Sequence, residues 1–374
     1  MNAWHKFLLF NAKSVTFRKS FIVPLVILVV GTVGIFIATD HASNKLSMAS
    51  IVASDITNNQ TQKQKFINRQ EKVPAALRKR LNAELEIVKN YNHGNWSKAA
   101  KNKIIINNED IKTSRLSGDQ DSAKAMQLEN ITLAYSVKHN AFPNTQDLGV
   151  QGFNFLGDFL NIYFPEIILL FLIFMFSPLF IEKYQGQRNM DKLIPRSLAF
   201  LDGNRLTTAI IGAAFAYLMI VILVFGIAAL THGIGEFNYP VVLEADKIVG
   251  TVSIGVLLIK VIVLQLLSIV VTMALIQLLA NVTRNQNLTL LIAAGLSLLQ
   301  AVAPSNFSFM NGILQFLPGT YFNSYQIVNQ QLSYTTDNAQ LTFGFGLSVL
   351  LFYIIILILF NLGYERIIRP RNIA

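Results

Sequence analysis

Cysteine is absent from the chain, which excludes disulfide frameworks, thiolate metal sites and thiol nucleophiles. An exported domain built without it fits a bacterium that does not rely on disulfides. Charge is scarce as well. Only 14% of the 374 residues are Asp, Glu, Lys or Arg, against about a quarter in an ordinary soluble domain. The phosphate cradle G-x-x-x-x-G-K-[ST] occurs nowhere, so this chain does not hydrolyse ATP by that route. The five histidines (His5, His41, His93, His139, His232) include no i,i+4 pair with an acid between them, which removes the zincin pattern. Glu109-Asp110 and Asp119–Asp121 lack the alternating oxygens, glycine and closing Glu of a calcium loop. With no catalytic or metal constellation, the sequence does not read as an enzyme. The net charge of +10 comes without a basic stripe interleaved with aromatics, so it is not a nucleic-acid footprint.

What the chain has in excess is apolar length: 52% of its residues are hydrophobic and its mean hydropathy is +0.45. The pattern predicts an all-α integral membrane protein with six spans. Residues 1–20 predict an amphipathic interfacial helix, with Trp4, Phe7, Leu8, Ala12 and Val15 on one side and His5, Lys6, Lys13 and Thr16 opposite. Residues 21–38 predict the first span. A cleavable signal peptide is the rival, but the apolar core is too long and Ala38-Thr39-Asp40 is a poor cleavage site. Further spanning runs fall at about 159–181, 207–231, 250–280, 287–303 and 341–363, the fifth of the six being the shortest and ended by Pro304. About 20 apolar residues suffice to cross the bilayer.

Residues 39–156 have a different composition, rich in Asn, Gln, Lys and Ser. Helical periodicity recurs at Val73–Val88, Trp96–Ile111 and Ala123–Val137, punctuated by Asn92, Gly94 and Ser117-Gly118 and closed by Pro143-Asn144. A mostly helical extracellular domain is expected there. Trp96 and Tyr135 either fill its thin core or line a ligand surface. Orientation follows from Lys and Arg in the short loops. Lys6, Lys13, Arg18, Lys19, the basic 182–206 loop, Arg284, Arg366, Arg369 and Arg371 fall on one side, whereas 304–340 has no Lys or Arg and 232–249 only Lys247. Both termini are therefore expected to be cytoplasmic. The 304–340 segment carries Phe307, Phe309, Ile313, Leu314 and Phe316 before Pro318-Gly319. It is too short to cross, and a re-entrant or interfacial helix is expected.

Charges within apolar runs mark functional candidates because burying them is costly. Glu166, after Pro165, and Lys260 fall at similar depth in spans two and four. Either they pair or line one cavity, or Glu166 is wet and Lys260 snorkels outward. Gln265 and Gln277 are expected to hydrogen-bond between helices.

The connector Glu182–Leu206, EKYQGQRNMDKLIPRSLAFLDGNRL, combines E-x-x-x-G (Glu182, Gly186), then Leu193, Ile194, Pro195 and Arg196, then Gly203 and Arg205. This run resembles the ABC-2-type transporter permeases, whose loop after the second span reads approximately E-[KR]-x-x-G-T-x-x-L-L-L-x-x-P-[VI]-[ST]-R. Gln187 stands where Thr is usual, the interval before Leu193 is longer, and Asn204-Arg205 stands where the family tends to have Lys. The likeness extends to the topology: interfacial helix, six spans, large domain after the first. It implies a dimer of membrane subunits, homo- or heterodimeric, driven by two copies of a separate cytoplasmic ATPase that binds ATP and Mg, with no cofactor in this chain. It further implies a short cytoplasmic helix ending near Pro195 and docking in that ATPase. Glu182 and Arg196 would make polar contacts, with Leu193 and Ile194 as the apolar anchor. The substrate class the subtype suggests is a hydrophobic or amphipathic peptide, such as an antimicrobial peptide, in a Gram-positive cell membrane; lipid-linked glycan, drug and sodium stay open. The alternative is a non-transporting receptor whose extracellular domain binds a peptide. The neutral reading of the connector is a basic loop that holds anionic lipid.

Overall fold

The computed structural model describes residues 3–16, 18–143, 149–185, 188–243, 250–306 and 308–367. The helices are α1 (Ala3–Thr16), α2 (Lys19–Lys45), α3 (Met48–Asn68), α4 (Ala75–Asn92), α5 (Trp96–Leu116), α6 (Gln120–His139), α7 (Gly152–Tyr163), α8 (Leu169–Ile181), α9 (Leu198–His232), α10 (Ile254–Thr283), α11 (Gln286–Asn306), α12 (Ser324–Val328), α13 (Gln331–Thr335) and α14 (Phe343–Ile367). Two short antiparallel hairpins complete the described residues. One pairs β1 (Tyr184–Gln185) with β2 (Arg188–Asn189), the other β3 (Pro240–Val242) with β4 (Thr251–Ser253).

Among the described residues, five helical stretches are long and apolar enough to cross a membrane: Lys19–Asn68, Gly152–Ile181, Leu198–His232, Ile254–Thr283 and Phe343–Gly363. The apolar runs of the sequence predict six. The remaining run lies in α11, whose apolar part, Gln286–Leu299, is shorter than the others. α11 continues past Pro304 to Asn306, because a proline in a last turn removes one hydrogen bond without ending the helix. α7 and α8 are one rod interrupted by a π-turn at Phe164–Ile168. Pro165 accounts for it: the ring removes a backbone donor and crowds the preceding turn, and one wide turn relieves both.

The chain divides into two compact units. The first comprises Met1–Val33, Phe159–Val224 and Leu257–Ala374. Its centre is the α8 run Leu169, Leu172, Ile173, Phe176 and Phe180, all at most 1% exposed. Gly212 on α9 lets Phe176 approach, since a Cβ there would meet the ring at 2.7 Å. α1 turns Trp4, Phe7, Leu8 and Val15 away from solvent and leaves His5, Lys6 and Lys13 exposed, as its period requires.

Segment 304–340 belongs to the same unit, and Phe307 lies outside the described residues. It contains short 3₁₀ turns and the five-residue helices α12 and α13 in place of the single helix expected. Pro318 and Gly319 break helical continuity, and side-chain amides tie the turns together. Asn338 donates to Asn311 O at 2.7 Å and to Gln315 Oε1 at 2.6 Å, and the Tyr321 hydroxyl to Gln315 O at 2.7 Å. Phe309 and Phe316 stay exposed.

The second unit comprises Gly34–Asp158 and Phe225–Val256. α3 to α6 bury Val52, Ile56, Leu81, Ile87, Ile106 and Leu133 in a common core. α4, α5 and α6 cover the three stretches whose periodicity marked them, and α3 was missed. α6 ends at His139, before Pro143, with Asn140 in the left-handed region (φ 50). The Asn140 side chain accepts from Ser97 N at 2.8 Å and so ties the end of α6 to the start of α5. Glu84, 1% exposed, accepts from Asn59 at 2.8 and 2.9 Å and from Arg80 at 3.0 Å. Arg80 also grips Asp110 through both terminal nitrogens. Asp119 caps α6, and the hydrogen bonds from Ser122 hold its carboxyl below the usual range. Trp96 packs edge-on against Phe142 with ring centroids 5.4 Å apart, and Tyr135 donates to Glu236 at 2.6 Å.

Candidate functional site

The connector leaves α8 at Ile181 and enters α9 at Leu198. Between them lie the β1–β2 hairpin and a 3₁₀ turn, Met190–Leu193, in place of the α-helix expected to end near Pro195. The local cause is legible. Asn189 turns its side chain back to accept from Asp191 N at 2.9 Å, an Asx turn that starts the 3₁₀ segment. Pro195 then keeps Ile194 extended at φ −90, ψ 130. Gly186 lies outside the described residues.

Beneath this turn is a charged cluster of which only Arg205 was expected from the sequence. Asp191, 3% exposed, receives both terminal nitrogens of Arg205, one at 2.8 Å. Arg205 also lies 3.5 Å from Asp202, one helical turn away on α9. Asp202 is paired in turn with Lys183, which is 2% exposed. Two carboxylates and two cations thus balance within a buried site. Only such pairing makes their burial tolerable.

Neutral hydrogen bonds extend the cluster from α9 to α1, α10 and α14. Gln277 of α10 donates to Asp202 O at 3.0 Å. Asn204 donates to Trp4 O at 3.0 Å and accepts from Asn11 at 2.9 Å, which fixes α1 to α9. The Tyr184 hydroxyl donates to Asn281 at 3.2 Å, and Asn281 to Asn361 of α14 at 3.3 Å. On the α1 side, Phe200 receives the edges of Trp4 and Phe7 with ring centroids 5.1 and 5.8 Å away. Hydrogen bonds thus connect the base of the connector to α1, α9, α10 and α14.

The tip of the connector is its opposite. Leu193 is 76% exposed, Pro195 and Arg196 are exposed, and Ile194 is half-buried. The Arg196 guanidinium sits 5.9 Å over the Phe200 ring, which holds it beside the apolar pair. Glu182 does not reach the tip: it is ion-paired with Arg18, at the end of α1. Leu193, Ile194, Pro195 and Arg196 thus form one exposed patch, whereas Glu182 and Arg205 serve the base.

Among the described residues, Glu166 and Lys260 form no ion pair with each other. Glu166 is exposed on the π-turn, and Lys260 is half-buried with its ammonium 5.7 Å over Phe343, at the start of α14. The aromatic face attracts the ammonium as a cation–π contact. Gln265 accepts from Tyr217 at 2.5 Å and donates to Leu160 O at 3.5 Å, so it does link helices, as does Gln277.

Lys183, Asp191, Asp202 and Asn204 were missed because each reads locally as loop polarity. The available signal was Asp202 and Arg205 one turn apart at the head of an otherwise apolar helix, where both must find partners. No protein family, curated protein or solved structure is found to match the chain.

Proposed function

We propose that the chain is the membrane-spanning permease subunit of an ATP-driven exporter of the ABC-2 type, in a bacterial cell membrane with both termini cytoplasmic and α11 as the sixth crossing. A separate pair of ATPase subunits supplies ATP hydrolysis, and a second permease copy completes the assembly. The observation that carries this reading is the connector: an exposed Leu193–Arg196 tip mounted on a buried ion cluster bonded to α1, α9, α10 and α14. Apolar surface left exposed beside an arginine suits a contact with a partner, and a rigid base is what a force-receiving element needs. The helical unit falls after the first span, an arrangement common among exporters of drugs, sodium and antimicrobial peptides, and a hydrophobic or amphipathic peptide is the substrate class proposed.

Affinity purification of the tagged full chain from mild detergent tests this. Wild type is expected to bring down a protein carrying G-x-x-x-x-G-K-[ST], identified by mass spectrometry, and Leu193→Asp and Arg196→Glu to lose it while remaining folded. If no ATPase accompanies wild type, the transporter reading fails and a peptide receptor takes its place.

A further inference from the structure

An apolar groove of about 480 Å³ runs between α1 and the parts of α2 and α9 that belong to the first unit. Its lining extends from Thr208 to Leu223 along α9, about 22 Å at 1.5 Å per residue. Two hydroxyls lie in it, and both are returned to their own helices: Thr16 donates to Ala12 O at 3.0 Å and Thr208 to Asn204 O at 2.8 Å. The groove therefore offers an occupant no polar partner, and water gains nothing there. Its α9 wall is exposed at Ile211 (54%), Phe215 (65%) and Met219 (50%), so it opens sideways along a helix apolar enough to cross a membrane.

The lining selects the occupant: a slot that offers no free polar group suits a hydrocarbon chain, which needs no polar partner. Charge selects its headgroup. The first 39 residues contain no Asp or Glu, and they carry Lys6, Lys13, Arg18 and Lys19. Arg18 is committed to Glu182, which leaves Lys6, Lys13 and Lys19, all exposed; Lys13 follows the lining residue Ala12, and Lys19 stands two residues before the lining residue Phe21. Basic side chains at the end of an apolar slot match a phosphate on an acyl chain.

We infer that this groove binds one acyl chain of an anionic phospholipid, with the headgroup on Lys13 and Lys19. The site does not depend on the identity of any protein partner. It couples lipid to α1, and α1 is bonded through Asn11 to Asn204 at the base of the connector.

The test places the full chain in nanodiscs containing phosphatidylglycerol or phosphatidylcholine that carries a photoactivatable acyl chain, and maps the adducts by mass spectrometry. Adducts are expected on Phe215 and Met219, favouring phosphatidylglycerol by about fivefold for each lysine, the attraction one basic residue exerts on an anionic lipid surface. Ala216→Trp, which fills the groove, is expected to remove them while labelling of Phe352, exposed on α14, persists. Ile211→Trp serves the same end if Ala216→Trp fails to fold. Lys13→Glu with Lys19→Glu is expected to keep the adducts and abolish the headgroup preference. Groove labelling no stronger than at Phe352, indifference to the filling variants, equal labelling by both lipids in wild type, or a chain-to-chain crosslink at Phe215 would each overturn the inference.

Discussion

Asp191 and Leu193 are two residues apart, yet one is 3% exposed and the other 76%. The base and the tip of the connector are different materials. At the base, charge is withdrawn from water and held by opposite charge, so its loss is felt as instability. At the tip, apolar surface is held out in water with nothing covering it, so its loss is felt only by a partner. A stability measurement and a binding measurement on the same short stretch should therefore separate cleanly.

The largest effect is expected at the base. Asp202→Ala leaves Lys183 buried without its carboxylate and should cost about 3–5 kcal/mol, read as a lowered melting temperature in detergent. Replacing both partners, Lys183→Met with Asp202→Leu, should recover most of that loss, because no isolated charge is left in the interior. Equal instability of the single and double variants would mean that the pair does not hold the base. The second unit sharpens the contrast with a graded example. Arg80→Ala removes one donor from buried Glu84, which keeps Asn59, and should cost about 1–3 kcal/mol. Lys79→Ala, which breaks the exposed pair with Glu109 at 2.9 Å, should cost less than about 1 kcal/mol. At the tip, Leu193→Asp should change stability by less than about 0.5 kcal/mol while abolishing recovery of the ATPase.

The smallest expected effect is a titration. Burial pushes the Tyr91 phenol up to about 12, above the ordinary value of about 10. A raised folded value means that the neutral phenol is favoured by folding. That contribution is fully present below about pH 10 and is lost as pH rises through about 12. Tyr135 is likewise raised to about 12, so ultraviolet titration should show a late step of several tyrosines, and Tyr91→Phe should reduce it by one. An unchanged curve in the variant would assign the late step elsewhere.

Apolar length and composition made the long helices legible, whereas α1 and three helices of the polar unit were legible because each shows one repeating face. α3 escaped because Met48, Val52 and Ile56 are followed by the polar run Asn58–Lys65, so only its first turns carry the core pattern. The 3₁₀ turn at Met190–Leu193 stands where the family resemblance implied a helix, and the Asx bond of Asn189 that decides the matter is a three-dimensional fact. The exposed patch was readable from the motif, but the cluster beneath it was not. Lys183 and Asp202 are far apart in sequence, and nothing in either neighbourhood announces that both are buried.

The most direct test of the tip as the force-receiving surface is a photocrosslinker placed at position 193 in living cells, with position 352 on α14 as the control. The predicted result is an adduct from position 193 to an ATPase bearing a phosphate-binding loop, and none from position 352. No adduct from position 193, or the same adducts from both positions, would contradict the assignment.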